Sequence, residues 1–213
     1  MIRNRLTIVI AGMLVLVLMA YGIGMAQEES EVSDLSLWEG ENETYVNIFD
    51  TASAGELFNE IAKYVEGYDG EMVRNFYNKF YETPFSTIRI MGKKTVIFDE
   101  EIEADYEYIG VLNTKWGEYN IAWHIFRTDN SRAIDAGYRH LILMPYHGHG
   151  EGSIRHCHMR YGNENFDFLT TDPSISNWWP TLYRPNEVNK EEVVKNMMGQ
   201  AKMLADTLKT SEK

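Results

Sequence analysis

The sequence predicts an α+β domain in which a small antiparallel β-barrel has helices at its N-terminal and C-terminal sides. Two patterns predict this fold. Apolar residues recur at helical spacing towards both ends of the chain. The middle consists of short segments with a period of two, separated by turn residues. With 44% hydrophobic and 13% aromatic residues, the 213-residue chain has enough apolar surface for one sizeable core.

The first segment, residues 1–26, has the composition of a secretory signal. Arg3 and Arg5 precede an apolar run over residues 6–20, and small residues lead to a polar start at Gln27. We expect cleavage after Ala26; the alternative is an uncleaved membrane anchor, since the apolar stretch approaches the ~20 residues of a membrane span. Residues 27–34 are then an acidic linker, 35–208 the folded domain and 209–213 a tail. Either outcome places the domain outside the cytoplasm.

The elements of the domain follow from periodicity. Helices are predicted around 57–65 and 71–81, then a hairpin of strands 85–90 and 95–98 that turns at residues 92–94. Strands are predicted at 106–112, 119–127, 138–144 and 154–161. A C-terminal helix begins after Asn189, where Glu192 completes the pattern of a capping box. Successive short strands favour a barrel or sandwich, and the helices pack outside it.

Charge and cysteine content narrow the possible functions. The formal net charge is −12, which argues against nucleic acid as a partner, because phosphates need a basic face. An acidic surface suits a protein that collects cations. Cys157 is the single cysteine of the sequence, so the chain has no intrachain disulfide.

Three histidines on two neighbouring predicted strands form a candidate metal site. His156 and His158 are two residues apart, so both rings project from one face of a strand. A turn centred on Gly148 or His149 would pair His140 with His156 or His158, and both registers place all three rings on that face. Three neutral imidazoles with a fourth position open suit zinc, and copper or cobalt would also bind on affinity alone.

Other residues near this hairpin have two interpretations. The glycine-rich loop 146–152 contains His147, His149 and Glu151, which could form an accessory metal site or a polar turn. Cys157 lies between the two histidines and is expected to point to the opposite face as a buried apolar residue. His124, set among apolar residues of another strand, is expected to be structural.

Residues 35–40 at the start of the domain and residues 177–198 near its end contain motifs that resemble those of the ZinT (YodA) family of secreted zinc-binding proteins. The family's ending Asn-Trp-Pro-Thr-x-Tyr-x-Pro is similar to residues 177–185, and its Glu-Glu-Val-Val and Met-Met to residues 191–194 and 197–198. Its opening Leu-Ser-x-Trp-x-Gly is similar to residues 35–40, so the likeness runs from Leu35 to Gln200. Trp178-Trp179 contains one tryptophan more than the family pattern, and the mature start lacks the histidine-rich stretch common among members.

The resemblance implies a calycin-like, lipocalin-related barrel and zinc ligands at His140, His156 and His158. It also implies a chaperone or scavenger, not an enzyme, that assists a high-affinity zinc importer when zinc is scarce and can bind cadmium. The partner would be the solute-binding component of a zinc ABC transporter, in the periplasm or at the cell surface. The alternatives are a three-histidine zinc enzyme, a hydrolase or lyase that would need a general base, and a lipocalin-like carrier of a small ligand.

Overall fold

The computed structural model describes residues 32–116, 119–148 and 154–211, which contain six α-helices. The predicted signal segment and most of the acidic linker therefore lie outside the described residues, as do His149 and Glu151. Among the described residues, no helix has the length and apolar character needed to cross a membrane. The helices are α1 (Ala54–Ala62), α2 (Gly70–Phe80), α3 (Ser131–Asp135), α4 (Phe166–Thr171), α5 (Lys190–Gly199) and α6 (Ala201–Ser211).

Side-chain caps fix the starts of two of the helices. The Asp69 side chain accepts a hydrogen bond from the Met72 backbone N–H and caps α2. Asn189 accepts from the Glu192 backbone N–H at 3.3 Å and caps α5, as predicted. Both helices that the N-terminal periodicity predicts are present, with bounds shifted by up to three residues. The short helices α3 and α4 were not predicted.

Within the described residues, nine strands form one antiparallel sheet in the order β4-β3-β2-β1-β9-β8-β7-β6-β5. The predicted hairpin is confirmed: its two strands pair antiparallel, with Ile88 opposite Phe98. The strands are β1 (Gly40–Thr44), β2 (Thr87–Met91), β3 (Thr95–Phe98), β4 (Ile102–Asp105), β5 (Glu107–Trp116), β6 (Tyr119–Arg127), β7 (His140–Leu143), β8 (His156–Gly162) and β9 (Thr181–Tyr183).

The sheet curls, and its topology shows why. Strands β4 and β5 stand at opposite ends of the order, yet Tyr106 alone separates them in sequence. Nine flat strands would put these edges ~38 Å apart at the usual spacing, whereas one linking residue spans ~3.5 Å. The sheet must therefore bend and bring its two end strands towards each other. The result is a curled antiparallel half-barrel with helices, whereas the sequence predicts a small closed barrel.

Four helices pack together and cover the part of the sheet that carries the candidate site. Side chains of α1, α2, α5 and α6 share one apolar cluster, which includes Leu57, Ile61, Val73, Tyr77, Val194 and Leu208. Each fully buried side chain of this kind contributes about 1.5–3 kcal/mol to folding. Glu191 of α5 also accepts a hydrogen bond from the Ala52 backbone N–H at 3.0 Å, just before α1. These contacts hold α5 and α6 in place.

Candidate metal centre

The structure brings three histidines together: His147, His156 and His158. One ligand nitrogen from each lies within 4.8 Å of the others. Their ring centroids are 4.5 Å apart for His147–His156, 5.3 Å for His147–His158 and 4.9 Å for His156–His158. His156 is buried, and the other two are half-buried. We call these three residues the histidine triad.

Strand geometry places the first two members of the triad. His156 and His158 lie on β8 with one residue between them, so their side chains leave the same face of the sheet. His147 lies beyond the end of β7 and forms an isolated bridge opposite His156. Two backbone hydrogen bonds fix that bridge, from His147 N–H at 2.9 Å and from His156 N–H at 2.8 Å. Directly opposed residues share a face, so His147 joins the pair.

An irregularity next to Pro145 gives His147 this position. The Met144 N–H donates to the His158 carbonyl, which continues the β7–β8 register. The next pair is His147 opposite His156. On β8, His156 is two positions from His158, whereas on the opposing segment His147 is three positions from Met144. The extra residue is a bulge, and Pro145, which has no N–H, is suited to it. The bulge turns His147, and not Tyr146, towards the triad.

The predicted pairing of His140 with His156 or His158 is wrong. His140 lies opposite Gly162, four residues beyond His158 on β8 and thus ~13 Å along the strand. The expected turn centre at residue 148 or 149 was too early, because the loop is longer than the prediction allowed. His140 nevertheless faces the predicted side of the sheet, since its partner Gly162 has the same parity as His158.

His140 has its own local partners. Its Nδ1 lies 2.7 Å from the Glu164 carbonyl oxygen, and its ring packs edge-on against Phe166 at 4.7 Å. Burial lowers the pKa of His140 below the ordinary value of 6.5. These contacts are those of a neutral histidine that ties β7 to the start of α4.

Hydrogen bonds at Nδ1 orient all three rings of the triad. His147 Nδ1 lies 3.0 Å from the Pro145 carbonyl, and His156 Nδ1 lies 3.0 Å from the Ile154 carbonyl. His158 Nδ1 lies 2.8 Å from the Thr181 hydroxyl oxygen. Because that hydroxyl donates to the Trp179 carbonyl at 2.8 Å, it accepts from His158. Each ring therefore carries its proton on Nδ1, and its lone pair is on Nε2.

This donor set fits a zinc ion. A ring that donates from Nδ1 to a carbonyl or hydroxyl is the usual form of a metal-binding histidine. Zn–N bonds of ~2.0–2.1 Å in a tetrahedral site set the nitrogens ~3.3–3.4 Å apart, so small ring movements from the present spacing suffice. Among the residues that the structure describes, no Asp, Glu or Cys belongs to this group.

A cavity of about 140 Å³ adjoins the triad and separates it from the C-terminal helices. His156, His158 and Thr181 line its floor, and residues of α5 and α6 line its opposite wall. Asn196 and Met203 of that wall are exposed, so the cavity opens to solvent. A ligand or water that completes the coordination of a metal can reach the triad through this opening.

Cys157 and His124 lie outside the triad, as the sequence predicts. Cys157 is fully buried, and its Sγ donates to the Met144 carbonyl at 3.0 Å. Burial raises the pKa of this thiol, which disfavours the thiolate form that binds metals. His124 is also buried, 5.5 Å from the Trp38 ring, with its Nδ1 3.3 Å from the Tyr108 hydroxyl.

The sequence predicts His147 in an accessory site, whereas the structure makes it the third member of the triad. Pro145 was the available signal, because a proline at the end of a strand favours a bulge and a bulge changes parity. The other two accessory candidates, His149 and Glu151, lie outside the described residues.

A protein-family model matches residues 23–200, and its family is described as ZinT (YodA) periplasmic lipocalin-like zinc-recruitment. Two solved structures share the fold. The Zn(II)-bound ZinT-like domain of Streptococcus pneumoniae AdcA has a TM-score of 0.57 at 19% identity, covering 80% of this chain and 94% of that one. Zn(II)-bound AdcA from the same organism gives 0.59 at 18% identity, covering 80% of this chain and 37% of that one. No curated protein matches the chain significantly.

Proposed function

Because the chain belongs to the ZinT (YodA) family of zinc-recruitment proteins, we propose that it captures zinc outside the cytoplasm on His147, His156 and His158. Membership of the family supports zinc as the metal. His140, which the sequence analysis expected among the ligands, is assigned to the structure of the sheet instead. Cadmium, which has the same charge, is proposed as a second metal for the triad.

The orientation of the rings is the observation that carries this proposal. Three imidazoles converge within 4.8 Å, and each donates its Nδ1 proton to a fixed acceptor. Donation from Nδ1 leaves Nε2 as the metal-binding nitrogen of each ring, so the three imidazoles form one preformed set of donors. A buried cluster of histidines without this arrangement would pack as ordinary core residues.

The site is built to release its metal as well as to hold it. Three protein ligands leave one position of a tetrahedral ion open, and the adjoining cavity gives an acceptor access to it. Protonation of imidazole removes the lone pair, so acid weakens binding. The net charge of −12 raises the local concentration of cations. We propose that the acceptor is the solute-binding component of a zinc importer.

An enzyme and a carrier of a small apolar ligand are the alternatives. Zinc on three histidines can activate water, but hydrolysis or hydration also needs a general base near the metal. Among the described residues, the metal-binding group consists of three histidines and includes no carboxylate that could act as this base. The family description, zinc recruitment, favours capture over catalysis.

The test is a zinc titration of the protein purified from an extracytoplasmic fraction and stripped with a chelator. We expect one zinc per chain, bound tightly, and loss of this binding in the triple variant H147A/H156A/H158A. Ester hydrolysis and CO₂ hydration are measured on the same zinc-loaded samples, and we expect neither to exceed the rate of the triple variant. Equal zinc binding by both proteins would overturn the proposal, and turnover proportional to bound zinc would favour the enzyme.

A further inference from the structure

The strand that carries two members of the triad also carries a buried arginine. Arg160 is on β8, two residues beyond His158, and is 3% exposed. Its guanidinium carbon lies 5.2 Å from the Trp178 ring centre and 5.1 Å from that of Trp179. Nη1 donates to the Ile175 carbonyl at 2.8 Å, and Nε has no hydrogen-bond partner among the described residues.

The charge of Arg160 is retained in spite of its burial. Burial lowers the pKa of Arg160 to about 10, which still leaves the guanidinium protonated at neutral pH. A buried cation of this kind costs free energy, and an apolar side chain of similar volume is often tolerated at least as well. Packing alone therefore does not account for an arginine at this position.

Trp179 connects Arg160 to the triad in two ways. Its ring packs edge-on against the His158 ring, with centroids 5.3 Å apart. Its backbone carbonyl accepts from the Thr181 hydroxyl, which in turn accepts from His158 Nδ1. Any shift of Trp179 thus changes both the packing surface and the hydrogen-bond acceptor of His158.

We propose that Arg160 is a positioning residue, which fixes the ring of His158 by holding Trp179 between its guanidinium and the metal-binding imidazole. Trp178 supplies the second aromatic face for the guanidinium. A planar guanidinium is suited to this stacking, and a lysine ammonium is not. The inference rests on the proposed zinc site and concerns the orientation of one of its ligands.

A purely electrostatic role of Arg160 predicts the opposite result. A positive charge this close to His158 repels a bound cation, so its removal would raise zinc affinity. Arg160→Met removes the charge and the stacking, whereas Arg160→Lys removes the stacking and keeps the charge. Positioning predicts weaker binding in both variants. Repulsion predicts tighter binding in the first and no change in the second.

The experiment measures zinc affinity and the visible spectrum of bound Co²⁺ in wild type, R160M, R160K and the milder variant W178L. We expect about tenfold weaker zinc binding in both arginine variants and a smaller loss in W178L, typical of residues that support metal ligands. The tetrahedral Co²⁺ bands should weaken in parallel. Arg74→Met is the matched control, because Arg74 also stacks on an aromatic ring, that of Phe58 at 4.9 Å, and should leave affinity unchanged.

The outcomes separate this inference from the proposed function. Circular dichroism confirms that each variant is folded, and W178L replaces the arginine variants if they are not. Wild-type affinity or spectra in R160M or R160K, or in W178L when it is used alone, would overturn the positioning role, as would tighter binding in R160M. Failure of the wild-type protein itself to bind zinc would overturn the proposed function instead.

Discussion

Both ends of the β7–β8 hairpin carry histidines, but the histidines at the two ends have different partners. At one end the ladder is regular, and His140 lies opposite Gly162 and donates to a single carbonyl. At the other end the bulge next to Pro145 sets His147 opposite His156. Both ends place an imidazole on the same sheet face. The odd or even position of a residue along its strand therefore selects the face of the sheet. The register between β7 and β8 decides which histidines come together on that face.

Loss of a histidine of the triad should have the strongest effect on zinc binding. His156→Ala and His158→Ala should each weaken zinc binding by about a hundredfold or more, since a lost ligand costs at least as much as a lost supporting residue. His140→Ala should leave zinc affinity within about twofold, because its partners are those of the regular end of the hairpin. Competition with a zinc-binding dye measures all three. An equal loss of zinc affinity in all three variants would mean that His140 is also a ligand.

The acceptor of His158 gives the next largest effect. Thr181→Val keeps the shape of the side chain but removes the hydroxyl that accepts from His158 Nδ1, so zinc binding should weaken about tenfold. Thr170→Val is the matched control, since its hydroxyl donates to the Phe166 carbonyl within α4. If both variants bind zinc like the wild type, the Nδ1 contact does not orient the ring.

Acid should destabilise the folded protein through protonation of His140. The folded state holds the pKa of His140 below 6.5, so the unfolded chain binds the proton more readily. The free energy of unfolding therefore falls as the pH drops below about 6.5, and His140→Gln should make that decline shallower. Urea unfolding at several pH values in the presence of a zinc chelator measures it. An unchanged slope in H140Q would contradict a neutral His140.

Cys157 should show the smallest effect. It lies between two members of the triad in sequence, but its side chain leaves the opposite face of β8 and donates to the Met144 carbonyl. Cys157→Ser should therefore keep zinc affinity unchanged, as a titration on the variant would show. A clear loss of zinc binding would mean that the thiol is a ligand and that the faces of β8 are assigned wrongly.

The sequence predicts the parts of this fold that depend on local chemistry. Asn189 caps α5, and the hairpin of β2 and β3 has the predicted pairing. Strands β1, β4 and β9 escaped prediction. β1 is largely polar, β4 has four residues and β9 has three, and each is a strand through its pairing with neighbouring strands. The curl of the sheet follows from strand order, which no local pattern specifies.

The candidate site shows the same division. The shared face of His156 and His158, and the opposite direction of Cys157, follow from the period of a strand. The third member depends on loop length and on one extra residue at Pro145, which a pattern of alternating residues does not fix. Thr181 and Trp179 reach His158 from about 20 residues away in sequence, through a tertiary contact of β9 with β8.

Zinc K-edge X-ray absorption of zinc-loaded wild type, H140A and H147A is the most direct test of the triad. We predict three imidazole ligands in the wild type and in H140A, with Zn–N distances of ~2.0–2.1 Å, and two in H147A. Two imidazoles in H140A with three remaining in H147A would contradict the account, because the third ligand would then come from the regular end of the hairpin.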